Sequence, residues 1–205
     1  GWSCEVWPES QMVVVSPPEL VGETPSVFVA NARTGAWARF TGWNATCLEV
    51  WRGRLFFGSS DGRVVEANVG GTDEGSTYTS VFLPLYDDLR QPASLKVGEM
   101  GRATIRSQVE INELVEFRSD FDRTISFPPP DAVDVPSGNE WGNGIWGTSV
   151  WGQTRGSVLN QKWQSIGGTG YAIAAAVQIS SGASVPLDAE LIRLDVTYQV
   201  GDIVS

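Results

Sequence analysis

The sequence predicts an all-β protein: a β-propeller-like hairpin segment over residues 1–72, then an antiparallel β-sandwich-like domain over residues 73–205. Three observations carry this. Apolar residues come in short runs or in alternation with polar ones, and no stretch is strongly marked as a helix. The 23 glycines and 11 prolines punctuate those runs, as tight turns between strands require. Asp61-Gly62, between two apolar arms, is a hairpin signature.

Residues 12 to 69 read as one strand after another. The run MVVVS (12–16) is a buried strand stopped by Pro17 and Pro18, which cannot feed a ladder. SVFVANARTGAWARFTG (26–42) has two arms about Thr34-Gly35. ATCLEVW (45–51) is a strand turned by Arg52-Gly53, and RLFFGSSDGRVVEANVG (54–70) folds about Asp61-Gly62. Gly35, Asp61 and Gly62 are thus assigned to hairpin turns. Val27-Phe28-Val29-Ala30-Asn31 aligns with Leu55-Phe56-Phe57-Gly58-Ser59 without a gap, an offset of 55 − 27 = 28 residues. Such a recurring hairpin plus strand reads as part of a propeller, although propeller repeats usually run to about 40 residues or more. Consecutive hairpins of a plain meander leave the same pattern.

GGTDEGS (70–76) is a polar, glycine-rich break and the expected domain boundary. Beyond it, TYTSVFLPLYDD (77–88) is a strand entering a turn. Residues 93–121 hold short alternating runs, such as 103–105 and 109–111, that suit half-buried strands. A short helix over 107–117 is the alternative, since Ile105, Val109, Ile111, Val115 and Phe117 fit period 2 at least as well as a helical period. Pro128, Pro129 and Pro130 open a long irregular loop, 127–153, of the kind that is functional or interfacial in compact domains. Residues 157–182 read as strand, glycine turn and strand, with GGTG (167–170) as the turn. Residues 189–204 form the last strand.

The formal net charge is −10, which repels phosphate backbones and speaks against a dedicated nucleic-acid binder. No apolar run approaches the ~18 residues of a membrane span, and no signal peptide is visible. The first residues, GWSCEVW, lack a methionine, so the chain reads as the C-terminal piece of something longer; trimming leaves the same start. With no histidine there is no Ser-His-Asp triad, Cys-His dyad or His-ligated metal site. Cys4 and Cys47 are a candidate disulfide; the sequence favours the other reading, two reduced and buried thiols. No cofactor and no metal site is expected. The Ser59-Ser60-Asp61-Gly62 and GGTDEG stretches lack the Asp-x-Asp-x-Asp-Gly frame of a calcium loop.

Glycosidase chemistry needs only two carboxylates, and Asp120, Asp122, Asp131, Asp134 and Glu140 lie near tryptophans. Nothing marks one of them as buried, so they read as solvated surface and the chain as a non-enzyme. In EWGNGIWGTSVWGQ (140–153), Trp141, Trp146 and Trp151 recur at steps of five, each followed by glycine. Three readings compete for them and for the nearby Trp163: a sugar platform, a clasp on their own domain, or anchors at a subunit interface. The residues between the rings lack the usual sugar-binding groups, which favours clasp or interface.

The stretch from Val29 to Gly75 resembles one seen repeatedly in tail proteins of bacteriophages and prophages. It carries Thr34, Gly35 and Trp37, then Trp51, Gly53, Leu55, Phe56, Phe57, Gly58, Asp61, Gly62 and Val64. The Pro-Pro-Pro and Trp-Gly loop and the strand with Gly168, Gly170 and Ala172 are similar as well. The resemblance implies a tail nozzle or tail tubular protein of a short-tailed phage, located in the virion tail. There a β-propeller fused to further β domains assembles as a homo-oligomeric ring below portal and adaptor. Such a ring holds fibres and passes genomic DNA without specific binding, and the family has no catalytic residues to carry over. This chain shows only about two hairpin units, fewer than the four to eight blades of a closed propeller. The expected function is therefore a structural tail subunit. The alternative is a lectin-like module for host-surface glycans, and a third reading is a glycosidase fragment.

Overall fold

The computed structural model describes residues 1–18, 22–124, 128–132, 157–182 and 186–201. Among them every regular element is a β-strand and every strand pairing is antiparallel. No sheet among the described residues closes on itself. None of their elements is a helix long and apolar enough to cross a membrane. The chain divides into two compact units, Gly1–Val69 and Gly70–Ser205, at the start of the glycine-rich segment 70–76.

In unit 1, β1 (Ser3–Trp7), β2 (Met12–Ser16), β3 (Ser26–Asn31) and β4 (Trp37–Thr41) form a four-stranded meander in that order. β5 (Ala45–Trp51), β6 (Arg54–Ser59) and β7 (Val64–Glu66) form a three-stranded one. β1 adds to the strands read from the sequence. SCEVW has little apolar pattern of its own, and its ladder to β2, from Ser3↔Ser16 to Trp7↔Met12, holds it extended.

The two sheets share one apolar core. Trp7, Val14, Val27 and Val29 come from the first sheet; Ala45, Leu48, Leu55 and Phe57 come from the second. Full burial of side chains such as Val27 and Leu55 is worth roughly 1.5–3 kcal/mol each. β5 lies against β1 and β2. The Trp7 indole Nε1 donates to Gly53 O at 2.7 Å, and Ser16 Oγ to Ala45 O at 2.5 Å. The aligned hairpins meet face to face, because both Val27 and Leu55, and both Val29 and Phe57, turn into this core. The 28-residue offset therefore relates two facing hairpins: it matches the third strand of one sheet, β3, to the second strand of the other, β6, and is not a repeat of equivalent strands.

In unit 2, β8 (Tyr78–Phe82), β10 (Glu113–Ser119) and β13 (Ile173–Ser181) form a sheet in the order β10-β13-β8. The other sheet is centred on β9 (Lys96–Ser107). β14 (Ala189–Val200) runs along one side of it; β11 (Val158–Asn160) and β12 (Gln164–Gly170) line the other. Ala103, Ile105, Ile111, Val115, Ile166, Ala175 and Val177 make their common core. Two amide side chains tie the sheets along one flank. Asn160 Oδ1 accepts from Ile111 N at 3.1 Å, and Gln164 Oε1 from Val115 N at 3.1 Å. Gln164 Nε2 also donates to Glu113 O at 2.7 Å.

Two expectations change here. The helix alternative over 107–117 is replaced by the end of β9, an irregular stretch and the start of β10. GGTG (167–170) is part of strand β12 and not a turn. The glycines are there for close approach: Gly168 pairs with Gly98, and the Phe117 ring from β10 lies across the pair. A side chain at Gly170 would run into Ser119 in the same way.

Candidate interaction faces

The turns that set the sheet edges in unit 1 are built from local polar groups. Gly35 takes φ +72° and donates its N–H to Asn31 O at 2.8 Å. Asn31 Oδ1 accepts from Arg33 N at 2.9 Å and Thr34 N at 3.1 Å. Gly62 takes φ +87°, and its N–H reaches Ser59 O at 3.0 Å. The Asp61 carboxylate accepts from the Ser59 hydroxyl and from Arg63 Nε, the latter at 2.7 Å. The Ser59 hydrogen bond, followed by Arg63, holds the Asp61 carboxyl below its ordinary range.

Outside the shared core, unit 1 has two faces, and both carry apolar side chains. On the first sheet, Val14, Val27 and Val29 point inward. Strand alternation therefore turns Val6, Val13, Val15, Phe28 and Trp37 outward. Val6 and Phe28 are exposed and Trp37 is 63% exposed. On the second sheet, Leu48, Leu55 and Phe57 point inward, which leaves Trp51, Phe56 and Val64 outward, with Val64 78% exposed. Trp51 meets Phe56 edge-on at 6.3 Å, and the guanidinium of Arg52 lies 4.4 Å from its ring centre. An open apolar hollow of about 200 Å³, lined by Met12, Val29, Trp37, Ala38 and Phe40, lies beside β4.

Cys4 and Cys47 are both free and both exposed, so neither the disulfide nor the pair of buried thiols is present. The physical reason is their phase along the strands. Cys4 pairs with Val15 on the outer face of the first sheet, and Cys47 with Gly58 on the outer face of the second. The shared core lies between them.

In unit 2, Trp163 is 45% exposed, with the Arg102 guanidinium 4.6 Å from its ring centre. Arg102 Nη2 reaches Asp195 Oδ2 at 2.8 Å and, as the largest influence, lowers the Asp195 pKa. The ring is thus part of a charged cross-strand ladder that continues in Arg106–Glu190, 2.9 Å. Trp141, Trp146 and Trp151 lie outside the described residues, as do Asp134 and Glu140.

Of the carboxylates weighed for hydrolysis, Asp120 and Asp122 brace turns. Asp120 Oδ1 accepts from Tyr171 N at 2.8 Å and Ala172 N at 3.2 Å. Asp122 Oδ1 accepts from Thr124 N at 2.9 Å, which lowers its pKa. Asp131 is exposed. Among the described residues no three or more His, Cys, Asp or Glu side chains group so as to hold a metal ion.

The outward residues Val6, Val13, Val15, Phe28 and Val64 were not singled out as interaction residues in the sequence. The available signal was MVVVS: an uninterrupted apolar run marks a strand to be covered on both faces, whereas a strand with one wet face alternates. Comparison of the chain with protein-family models, with characterised proteins and with solved structures finds no match.

Proposed function

We propose that the chain is a non-enzymatic structural subunit of a bacteriophage tail, nozzle-like, that works within an oligomeric ring through which DNA passes and on which other tail proteins dock. The observation that carries this reading is the two-faced apolar character of unit 1. Its sheets bury one face on each other and keep a second face that carries exposed apolar side chains, Trp37 on one side and Trp51 and Val64 on the other. Sheets stacked face to face in a propeller need two such faces, because each blade packs between two neighbours. The first strands of the two sheets, β1 and β5, are neighbours, as the inner strands of adjacent blades are. A net charge of −10 suits a wall that DNA slides past without adhering. In unit 2, two sheets on one core, in the manner of a β-sandwich, supply a compact body on which partners are carried.

The lectin-like alternative needs open aromatic faces. Trp51 and Trp163 each have one ring face taken by a guanidinium, from Arg52 and Arg102, while Trp37 is 63% exposed. Immunogold labelling of purified tailed particles with antibody against the chain separates the readings. Gold confined to the tail is the expected result. A protein absent from the particles that binds polysaccharide as a monomer overturns the proposal.

A further inference from the structure

We propose that unit 1 assembles head to tail with further copies of this chain, the outer face of its first sheet packing on the outer face of the next copy's second sheet. The inference rests on the propeller-like reading above and names the partner of each open face.

Continuity with the contact already present inside unit 1 supports it. There the sheets stack with β5 beside β1 and β2, bound by Trp7 to Gly53 and Ser16 to Ala45. Placing the β1 of a second copy beyond β5 extends the same row, with apolar Val6, Val13 and Phe28 laid over Trp51, Phe56 and Val64. The charges agree with contact between unlike faces. The strands of the first sheet turn one charged residue outward, Arg39 (+1). The strands of the second turn out Glu49, Glu66 and Arg54, for −2 + 1 = −1. A face meeting its own copy sets like charges against each other. Unlike faces meet with opposite sign and make a heterologous contact, which closes into a ring when the rotation permits. The unit 1 of each copy brings two sheets. Since propellers close with about four to eight blades, the ring holds about two to four copies.

The two exposed cysteines provide the readout. Cys4 and Cys47 sit on strands of the same row, β1 and β5, and on the two faces that are to meet. Packed sheets lie about 10 Å apart, so a bismaleimide of about that span joins them, whereas a direct disulfide is out of reach.

The test uses the 205-residue chain. Its native mass is expected to correspond to a closed oligomer of about two to four copies. Phe28→Asp disables one face and Phe56→Asp the other; both side chains lie outside the core, and circular dichroism checks folding. Each variant alone is expected to be monomeric. An equimolar mixture should give dimers and nothing larger, because one good face remains on each. With the unsubstituted chain, bismaleimide cross-links should vanish with either Cys4→Ser or Cys47→Ser, a readout independent of the phenylalanines. A monomeric chain, oligomers unaffected by both variants, a mixture that stays monomeric, or cross-links that survive Cys47→Ser overturn the inference. If gold still labels the tail in that event, the tail reading stands and only the assignment of the faces fails.

Discussion

Replacing Gly98 by alanine tests the packing of unit 2 through the sign of a stability change. On an ordinary extended strand, Gly→Ala stabilises by about 0.4–1 kcal/mol, because the unfolded chain loses freedom. Here the new methyl lands 2.6 Å from Phe117 Cε2 and closer still to Cδ2, against 3.4–4 Å for ordinary contact. The ring is only partly buried, but it is held at both edges. Its opposite edge, Cδ1 and Cε1, lies over Gly168, the register partner of Gly98, and β10 backs it from behind. Overpacking of a well-filled site costs about 1–3 kcal/mol, and a ring held at both edges belongs in the upper half of that range. The net expectation is a loss of about 2 kcal/mol, or roughly 6–10 °C in Tm for a unit of this size. Urea unfolding followed by hydrogen exchange at the β10 and β13 amides reads it. Phe117→Leu in the Gly98→Ala background should recover at least about 1 kcal/mol relative to the sum of the single changes, since the two residues touch. A neutral or stabilising Gly98→Ala would refute the packing argument.

Other perturbations probe different parts of the fold. Asn160→Ala and Gln164→Ala each strip the partner from a backbone N–H, Ile111 just before β10 and Val115 within it, and should cost about 1–3 kcal/mol with faster exchange at those amides. Lys96 is fully buried and its ammonium donates to Gln91 O and Tyr171 O, the latter at 2.6 Å. Lys96→Met keeps the stem but orphans both carbonyls, so about 1–3 kcal/mol is lost and exchange rises in residues 87–95. For pH, the carboxyls of Asp61, Asp122, Asp195 and Glu110 are held low by Ser59, Thr124, Arg102 and Lys162 respectively. Their stabilisation is complete above the unfolded carboxylate range near pH 4 and is lost as pH falls through their lower folded values. Lys162 is raised by Glu110, so its share is complete below about pH 10 and lost above its folded value. Urea midpoints at constant ionic strength should therefore be flat from about pH 5 to 9 and fall outside that window. A midpoint that rises on acidification to pH 3 contradicts these pairings.

Much of the strand pattern was legible because local and tertiary demands agree. β2 and β5 start and end where their apolar runs do, at Met12–Ser16 and Ala45–Trp51, since proline or a turn stops each. β14 illustrates a partial reading. Leu191, Leu194 and Val196 pack on the core, yet they are not in strict period 2, because a register shift between Leu191 and Arg193 moves the phase. β9 runs for 12 residues although the sequence suggests only short apolar pieces. Gly98 and Gly101 interrupt the pattern, and the cause lies on the opposite sheet in Phe117 and Val115. Glycine in GGTG looked like a turn for the same reason: nothing in sequence separates a glycine that bends from one that makes room for a ring.

The interaction faces were harder to read, and the reason separates core from surface. An apolar residue in a strand declares that it will be covered but not by what, so Val13, Val14 and Val15 look alike in MVVVS. The pairing of β2 with β1 and β3 then sorts them. Val14 meets Leu55 and its neighbours in the core, while Val13 and Val15 join Val6 and Phe28 on the open side. Cys4 and Cys47 follow the same rule, and their strand phase places them on opposite outer faces before any question of redox state arises. A sheet made apolar on both sides but covered on one is a surface with unmet burial, and a loss of about 25 cal/mol accompanies each Å² left wet. A single aspartate at Phe28 or Phe56 is therefore expected to act on the proposed assembly and to leave the fold of unit 1 intact, which separates the outer faces from the core as sharply as Gly98→Ala separates packing from turn.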